Sequence, residues 1–298
     1  MDVVVSGSHG LIGSALVPAL AAAGHRVRRL VRRPPGPDEI AWDPDAGTVD
    51  AAGLEGADAV VHLAGVGIGD KRWTPEQKRR IRDSRVRGTG ALAAALAGLA
   101  VPPRVLVSGS AVGYYGDRGD EVLTEESHPG EDWLAEVVRD WEGAAAPAAD
   151  AGVRVVHTRT GIVLSPAGGA LAKQLPLFKL GLGGRLGPRS QWVSWVSIDD
   201  EVGAIGHALA TESLRGPVNL GAPEPTTAAG MARAIGRALH RPAALPVPAF
   251  ALGVVVGRQM AREMVRASQR MVPEKLLASG YRFRHPDIGA AMGDLLGR

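Results

Sequence analysis

Residues 3–16 have the sequence VVVSGSHGLIGSAL, in which three closely spaced glycines separate a β-branched run from an alanine- and leucine-rich stretch. The valines predict a strand, and the pattern that starts at Leu11 predicts a helix. Gly7, Gly10 and Gly13 have the spacing G-x-x-G-x-x-G. Such glycines permit a tight turn, bring backbone N–H groups close to a pyrophosphate and let the helix pack closely on the strand. Because strand, turn and helix follow in this order, we predict dinucleotide binding rather than a plain strand-to-helix connection.

The following part of the chain alternates between strand and helix patterns. Apolar runs predict strands at residues 27–31, 59–64, 105–108 and 153–158, and helical patterns lie between them at 76–99 and 132–149. The run at 59–64 is continuously apolar, as expected of a strand buried on both faces of a parallel sheet. Strands that alternate with helices predict an α/β fold with a Rossmann-type, doubly wound parallel sheet.

Beyond Thr160 the pattern loosens. SPAGGALAKQLPLFKLGLGGRLGP, residues 165–188, predicts a long irregular stretch, and such stretches usually carry function, so we expect substrate contacts here. Helices are predicted at 198–209 and 226–239, the second capped by Thr226, with a short strand at 218–220 between them. The basic tail predicts a small, mainly helical C-terminal unit.

Composition narrows the classes of function. The chain has 298 residues, of which 45% are hydrophobic and 22% charged, with a formal net charge of +3. These values are typical of a globular protein, and no basic block interleaved with aromatic residues suggests nucleic-acid binding. Cysteine is absent, which excludes disulfides and thiolate metal sites. The N-terminus lacks a signal-peptide pattern and no apolar stretch approaches the roughly 20 residues of a membrane span, so a cytoplasmic protein without membrane contact is expected.

Two arginines follow the second predicted strand. A dinucleotide fold that favours NAD usually has an acidic residue there, whose carboxylate binds the ribose 2′-hydroxyl. This chain has Arg32 and Arg33, and guanidinium groups suit the 2′-phosphate of NADPH. Asp38 and Glu39 come only after a proline-rich loop. We therefore predict NADPH in preference to NADH, with two solvated arginines as the alternative.

Seven sequence motifs together resemble those of one superfamily. They are SGSHGLIGSAL at 6–16, ADAVVHLAG at 57–65, KRRIRDSRVRGT at 78–89, SGSAVGYYG at 108–116, RTGIVLSPAGGAL at 159–171, SQWVSWVSIDD at 190–200 and SQRMVPEKLLASGYRFRHPDI at 268–288. The chain resembles, over nearly its whole length, the extended short-chain dehydrogenase/reductases, and among them the atypical NAD(P)-binding "epimerase family" group. That resemblance implies an NADP-binding oxidoreductase or sugar-nucleotide epimerase.

The resemblance also implies a division of the chain. Residues 1–222 would form the NAD(P)-binding epimerase/dehydratase-like domain, with an interleaved substrate region at about 161–197. Residues 223–298 would form a C-terminal substrate-side region, with the family's small C-terminal domain at about 247–296.

The glycine motif and the resemblance together give a set of expected cofactor contacts. They are Gly7, Gly10, Leu11, Ile12, Gly13, Arg32, Arg33, Leu63, Ala64, Gly65, Arg85 and Ser108. Trp73 lies in the same resembling region as Arg85, for which an arginine on a helix surface is the alternative. For His62, which precedes the turn at 63–65, backbone contact with the cofactor is expected rather than catalysis by the imidazole.

The catalytic pair that the superfamily implies is missing. In the superfamily a Ser or Thr polarises the substrate carbonyl, and a Tyr four residues before a Lys transfers the proton. Ser108 or Ser110 matches the hydroxyl donor, but the helix DWLAEVVRDWEGAA has Trp133 and Val137 where the pair is expected. An indole cannot donate and recover a proton at neutral pH, and valine cannot lower the pKa of a neighbouring group.

Two of the three tyrosines follow Ser110 directly, at the end of a predicted strand where an open α/β sheet binds its ligand. We predict Ser110 as carbonyl polariser and Tyr115 or Tyr114 as proton-transfer residue, with Lys78 as an electrostatic helper. The alternative is that one tyrosine packs beneath the nicotinamide and the other is structural. Glu125 and Glu126 are adjacent and do not face each other, so a solvated loop is expected rather than an acid–base pair.

A second cluster contains aromatic, amide and acidic residues: Gln191, Trp192, Trp195, Asp199 and Asp200. We expect Gln191 and Trp195 to line a substrate cleft, with core packing as the alternative for the tryptophans. Asp199 and Asp200 are expected to cap the following helix rather than bind metal, and no metal site is expected. Ser197 stands where the family commonly has a histidine.

Two functions remain open at this point. The first is an NADPH-dependent oxidoreductase or epimerase acting on a small hydroxyl- or carbonyl-bearing molecule, such as a nucleotide sugar. The second is an NADPH-binding regulatory or redox-sensing protein with little turnover, which the missing Tyr-x-x-x-Lys pair favours. The expected partner is a small-molecule substrate, with neither nucleic acid nor membrane, and a homodimer is left open.

Overall fold

The computed structural model describes residues 1–297; residue 298, the last of the predicted C-terminal region, lies outside the described residues. The strands are β1 (Asp2–Ser6), β2 (Arg26–Val31), β3 (Glu39–Asp43), β4 (Thr48–Val49), β5 (Ala59–His62), β6 (Val105–Ala111), β7 (Val122–Leu123), β8 (Arg154–Thr160), β9 (Ile162–Leu164), β10 (Trp192–Val193), β11 (Trp195–Ser197), β12 (Gly216–Leu220), β13 (Thr226–Thr227) and β14 (Arg270–Met271). The helices are α1 (Leu11–Ala22), α2 (Ala51–Leu54), α3 (Pro75–Ala97), α4 (Trp133–Gly143), α5 (Ala146–Asp150), α6 (Gly169–Lys179), α7 (Ile198–Ala210), α8 (Ala228–Ala238), α9 (Ala249–Val256), α10 (Arg258–Met260), α11 (Glu274–Ala278) and α12 (Ile288–Leu296).

The chain divides into two compact units whose segments interleave along the sequence. Unit 1 contains Met1–Ser110, Val137–Thr158 and Val202–Val218. Unit 2 contains Ala111–Glu136, Arg159–Glu201 and the chain from Asn219 onward.

Unit 1 is built on an eight-stranded sheet with the order β12-β8-β6-β5-β1-β2-β3-β4. β1 is parallel to both β2 and β5, β5 is parallel to β6 and β2 to β3, whereas β4 pairs antiparallel at the edge. The predicted α/β class with a doubly wound, mostly parallel sheet is confirmed. The strand order reverses between β1 and β5, and doubly wound folds bind their ligands at the carboxyl ends of the strands at such a point.

The core of unit 1 follows from the apolar runs that predicted its strands. Val3, Val4 and Val5 of β1 are fully buried, and so are Val60 and Val61 of β5. Other elements cover both faces of a central strand in a parallel sheet, which explains why these apolar runs do not alternate with polar residues. The first turn of the chain is therefore fixed to the most deeply buried strands of the unit.

The glycine-rich turn shows which glycines the backbone requires. Gly7 has φ +67°, and a Cβ there would lie 2.7 Å from the carbonyl carbon of Leu63 and 2.8 Å from the amide nitrogen of Ala64. A Cβ on Gly13 would lie 2.3 Å from the carbonyl oxygen of Gly7. Gly7 thus lets β1 end against the turn after β5, and Gly13 lets α1 sit on the first turn. A Cβ on Gly10 would meet only the Gly7 oxygen, at 3.3 Å.

Unit 2 contains short paired strands and the C-terminal helices. β9 is parallel to β11, β10 is antiparallel to β13, and β14 is parallel to β7. Its core includes Leu171, Leu175 and Phe178 of α6 together with Trp195. None of the helices within residues 1–297 combines the length and apolar character that crossing a membrane requires.

The structure corrects two predicted segments and adds two short strands to the sheet of unit 1. Part of the stretch 165–188 is helical rather than irregular, because the apolar residues of α6 bury one face and hold the helix through Pro176. The predicted helix 132–149 is two helices, and Pro147 occupies the first turn of the second. The short strands β3 and β4 were not predicted, since they follow a proline-rich loop and offer only brief apolar runs.

Two helix caps also differ from the prediction. Thr227, rather than Thr226, caps α8 by accepting a hydrogen bond from the amide of Gly230 at 3.0 Å. Ser197, rather than Asp199 or Asp200, accepts the amide hydrogen of Asp200 at 3.1 Å at the start of α7. Composition locates a helix start to within a few residues, but the backbone angles decide which hydroxyl reaches the free N–H groups.

The glycine turn yields a paired stability test. Gly24→Ala places a Cβ at φ +82° in open space and should cost only about 1 kcal/mol for the left-handed backbone. Gly7→Ala adds the collision with Leu63 and Ala64 and should cost about 2–4 kcal/mol. Urea unfolding of both variants measures the difference. Equal losses would show that the close approach of the two turns is not required.

Candidate functional site

The N-terminus of α1 fits a diphosphate. The amide of Gly10 donates to the Gly7 oxygen at 2.9 Å, which closes the turn directly before the helix. α1 begins at Leu11 and Ile12 with no side-chain cap and no acidic residue in its first turn. Free N–H groups and the positive end of the helix dipole attract phosphate oxygens. Apart from the Gly7 oxygen at 3.3 Å, no atom of a non-adjacent residue lies within 4 Å of a Cβ placed on Gly10, which leaves room for the approach of such a group.

The two arginines after β2 differ in their surroundings. Arg33 forms a bidentate pair with Glu39, with nitrogen–oxygen distances of 2.8 and 2.6 Å. Glu39 also accepts the amide hydrogen of Gly36, which together with Arg33 lowers the pKa of its carboxyl. Arg32 is exposed and forms no ion pair with any carboxylate in the described chain. Both line a cavity of about 420 Å³ between β2, β3 and β4.

The turn after β5 is fastened to the end of β1 by one hydroxyl. Ser6 Oγ accepts the amide hydrogens of Leu63 at 3.1 Å and Ala64 at 3.3 Å, and lies 2.7 Å from His62 Nδ1. Since both amides donate to Ser6, its own proton goes to Nδ1, and the neutral ring carries its proton on Nε2. Burial lowers the pKa of His62 to about 4. The imidazole therefore positions the Leu63–Gly65 turn and stays uncharged at neutral pH.

Arg85 connects that turn to two helices. Its guanidinium donates to the carbonyl oxygens of Val66 at 3.0 Å and Ile81 at 3.1 Å, and lies 5.0 Å from the ring centre of Trp141. Burial lowers its pKa to about 10, so it remains charged at neutral pH. A Cβ on Gly65 would lie 3.5 Å from the guanidinium. Arg85 thus holds the backbone that follows the 63–65 turn against α3.

The expected hydroxyl donors lie on β6. Ser108 is fully buried, and its Oγ makes one long contact of 3.5 Å to the oxygen of Gly109. Ser110, by contrast, donates to Glu142 Oε1 at 2.6 Å. Glu142 belongs to α4, the helix in which the Tyr-x-x-x-Lys pair was expected. Sequence reasoning missed Glu142, although it is an acidic residue beside the buried Trp141.

Tyr115 lies within a buried polar network of unit 2. Its hydroxyl donates to Asn219 Oδ1 at 2.6 Å and accepts from Arg159 at 3.2 Å, and the side chain is 0% exposed. Burial raises its pKa to about 12. Arg159 also donates to the carbonyl oxygen of Glu125, and the backbone N–H of Asn219 donates to the Glu125 carboxylate. The Tyr115 hydroxyl is thus committed to partners within its own unit.

Tyr114 is only partly buried, and its ring lies under the guanidinium of Arg159, 3.4 Å from the ring centre. The two tyrosine rings meet edge to face at 5.2 Å. Glu125 is buried, and that burial raises the pKa of its carboxyl, so the prediction of a solvated loop is wrong for this residue and holds only for exposed Glu126. Arg159 and Asn219 were not predicted, because their importance arises from partners distant in sequence.

The other predicted positions are spread through the structure. Trp195 is 0% exposed and donates to the oxygen of Glu224 at 3.2 Å, and Gln191 donates to the oxygens of Val265 and Ala267. Their substrate contacts stay predictions. Lys78 and Trp73 lie near the start of α3, where the Trp73 indole donates to the oxygen of Ile68.

One group of side chains has the spacing of a metal site. Asp199, His285 and Asp294 offer ligand atoms within 4.8 Å of one another. Arg284 lies between the two carboxylates, 3.7 Å from Asp199 and 3.0 Å from Asp294, and His285 Nδ1 lies 2.9 Å from Ser197 Oγ. The guanidinium therefore offsets part of the negative charge of the two carboxylates.

Glu201 is a fully buried acid in unit 2. Its Oε1 accepts a hydrogen bond from Thr160 at 2.9 Å, while Oε2 is buried without a hydrogen-bond partner among the described residues. Burial raises its pKa to about 8, so the carboxyl is mostly protonated at neutral pH.

Known proteins share this arrangement of sequence and fold. The model of the NAD dependent epimerase/dehydratase family matches residues 3–221, and a domain of unknown function, DUF1731, matches residues 247–295. An epimerase family protein of Mycobacterium tuberculosis is 46% identical over 292 residues, which cover 98% of this chain and 96% of that protein. A crystal structure of the human epimerase family protein SDR39U1 with NADPH has a TM-score of 0.91 and 35% identity, with 99% of each chain covered. A nucleoside-diphosphate sugar epimerase from Corynebacterium glutamicum has a TM-score of 0.81 and 41% identity, covering all of this chain and 58% of that chain.

Glu201 gives the fold a defined pH dependence. Below the ordinary value of 4.5 both folded and unfolded chains hold the proton; between 4.5 and about 8 only the folded chain does. This contribution to the free energy of unfolding therefore falls as pH rises through that window. Glu201→Gln cannot ionise, so its stability relative to the wild type should increase from about pH 5 to about pH 8. Urea unfolding across this range, with exposed Glu126→Gln as the control, tests this; parallel pH curves for Glu201→Gln and wild type would contradict it.

Proposed function

The chain belongs to the NAD dependent epimerase/dehydratase family, and we propose that it binds NADPH in preference to NADH. We propose further that it uses NADPH in an oxidoreductase or epimerase reaction on a small hydroxyl- or carbonyl-bearing molecule, such as a nucleotide sugar. The observation that carries the cofactor choice is Arg32, which is exposed at the end of β2 and has no carboxylate partner in the described chain. The human relative that was crystallised with NADPH supports the same choice.

The chain's own groups would hold the cofactor at three places. The first turn of α1 would bind the diphosphate, and Arg32 would bind the adenosine 2′-phosphate through charge-assisted hydrogen bonds. Arg33 would contribute less, because Glu39 already occupies its guanidinium. The turn at 63–65, held by Ser6 and Arg85, would contact the cofactor through its backbone.

When bound, the cofactor supplies the hydride donor or acceptor, and the protein must move one proton at the substrate oxygen. We propose that Ser110 and Glu142 perform this transfer. In the direction of alcohol oxidation, Ser110 Oγ accepts the substrate proton while its own proton passes to Glu142 Oε1, 2.6 Å away. The hydride that leaves the substrate carbon as the carbonyl forms would go to the oxidised cofactor. Carbonyl reduction uses the same two transfers in reverse.

The predicted role of the tyrosines changes in this scheme. Tyr115 is enclosed and its pKa is raised to about 12, so it supports the fold of unit 2 by hydrogen bonding to Asn219. Tyr114 stays a candidate for proton transfer, since its ring is only partly buried.

The second candidate is an NADPH-binding sensor with little turnover. Two observations favour it: α4 has no Tyr-x-x-x-Lys pair, and the Tyr115 hydroxyl already has partners within the protein. The Ser110–Glu142 contact is what distinguishes the enzyme from the sensor, because a sensor has no need for a proton acceptor on the strand end.

Cofactor choice is tested by replacing the two arginines singly. Arg32→Ala should weaken NADPH binding about tenfold or more, because a charge-assisted contact to the phosphate is lost, and should leave NADH binding nearly unchanged. Arg33→Ala should have a smaller effect. Arg26→Ala, an exposed arginine of β2 paired with Asp38, serves as the control. Calorimetric titration with both cofactors measures these effects. Equal affinities of the wild type for NADPH and NADH would overturn the proposal.

The proton-transfer pair is tested by turnover. With NADPH or NADP and a panel of aldehydes, ketones and nucleotide sugars, Ser110→Ala and Glu142→Gln should each lower the rate about a hundredfold or more. The double variant should be little worse than either single one, since the two residues act as a unit. Tyr115→Phe should retain the wild-type rate, and all variants should still bind NADPH.

The outcomes separate the candidates. Full activity of Ser110→Ala and Glu142→Gln would remove the proposed pair, and a large loss in Tyr115→Phe would restore the tyrosine as proton donor. Stoichiometric NADPH binding without turnover of any compound in the panel would favour the sensor.

A further inference from the structure

A cavity of about 740 Å³ in unit 2 is lined by arginines and small residues. The charged side chains that line it are Arg185, Arg189, Arg233, Arg237 and Arg241, with His240 beside them. Alanine, glycine and proline make up the rest of the lining that the structure describes, and no acidic residue is among them. The volume falls within the range of small-molecule sites.

The arginines of this cavity have no acidic partner within the described residues. Arg82 pairs with Asp140 and Arg118 with Glu121, but none of the five cavity arginines pairs with a carboxylate within residues 1–297. Arg185 Nε is buried and has no hydrogen-bond partner among residues 1–297. Buried polar groups usually have partners, so an orphaned guanidinium nitrogen indicates a missing acceptor.

The framework around the cavity holds these charges together. Arg233 and Arg237 are four residues apart on one face of α8, where like charges destabilise an isolated helix. His240, two residues after the end of α8, has φ +52°. The amide of Arg241 then donates to the Gly236 oxygen at 2.9 Å. A Cβ on Gly236 would lie 2.7 Å from the Ala243 side chain, so the chain after α8 folds tightly back against the helix.

The loop that carries Arg185 is fastened to the same segment. The oxygen of Arg185 accepts the amide hydrogen of Val247 at 3.0 Å, and the oxygen of Gly183 accepts that of Leu245 at 3.4 Å. Arg241 Nε donates to the oxygen of Lys179 at 3.1 Å. Backbone contacts, rather than ion pairs, thus bring the guanidinium groups to one cavity.

We propose that this cavity, taken by itself, binds a small phosphorylated molecule through its phosphate or diphosphate group. Several guanidinium groups without carboxylates repel one another until an anion lies between them, and guanidinium forks match the geometry of phosphate oxygens. A small molecule fits better than a polymer, since alanines and prolines wall the site and no stacking aromatic residue lines it.

The test is calorimetric titration of the NADPH-saturated protein with inorganic pyrophosphate. Prior saturation fills the cofactor site, so the added anion reports on another site. We expect binding that weakens with added salt, and that weakens about tenfold or more in the Arg233→Ala/Arg237→Ala double variant. Arg80→Ala, an exposed arginine of α3 outside the cavity, should bind pyrophosphate as the wild type does. Circular dichroism and NADPH affinity check that each variant folds.

Each outcome of the pyrophosphate titration supports or overturns the proposed site. Pyrophosphate binding that survives NADPH saturation and depends on Arg233 and Arg237 supports the site. No binding, binding abolished by NADPH, or equal weakening in Arg80→Ala overturns it. Because NADPH binding and turnover are measured separately, they can persist when pyrophosphate fails to bind, which would leave the proposed function standing without this site.

Discussion

The close approach of two backbone turns in unit 1 is the constraint on which the rest of the cofactor site depends. Gly7 comes so near Leu63 and Ala64 that a single Cβ would collide with both. Ser6 adds hydrogen bonds to the same two amides, and Arg85 holds the next carbonyl. These contacts hold the ends of β1 and β5 together at the point where the strand order reverses. α1 begins directly after the same glycine turn.

Arginines without a carboxylate partner are the groups that indicate anion sites in this protein. Arg33 and Arg32 are neighbours in sequence, yet Glu39 holds one and no described carboxylate holds the other. The same distinction separates the arginines of the unit 2 cavity from Arg82 and Arg118, which have acidic partners. An ion pair satisfies a guanidinium within the fold, whereas an unpaired one is available to a phosphate. Both proposed anion sites rest on this single physical criterion.

Burial keeps several titratable groups uncharged at neutral pH. The pKa of His62 falls to about 4, that of Tyr115 rises to about 12 and that of Glu201 rises to about 8, each because burial disfavours the charged form. Ser110 and Glu142 differ, because a hydroxyl there donates directly to a carboxylate at the end of β6. A short contact of this kind can pass a proton, which is why we assign the transfer to this pair rather than to Tyr115.

The sequence by itself determined the alternation of the longer strands and helices in unit 1, the glycine turn and the arginines after β2, because these depend on local periodicity and on residues adjacent in the chain. It also indicated Ser110 at a strand end. The tertiary structure alone decided that Glu142 meets Ser110, that Arg33 is paired while Arg32 is not, and that Glu125 is buried. It also brought Arg185 to the arginines of α8 and enclosed Trp195. Those outcomes depend on contacts between segments far apart in sequence, which no local pattern contains.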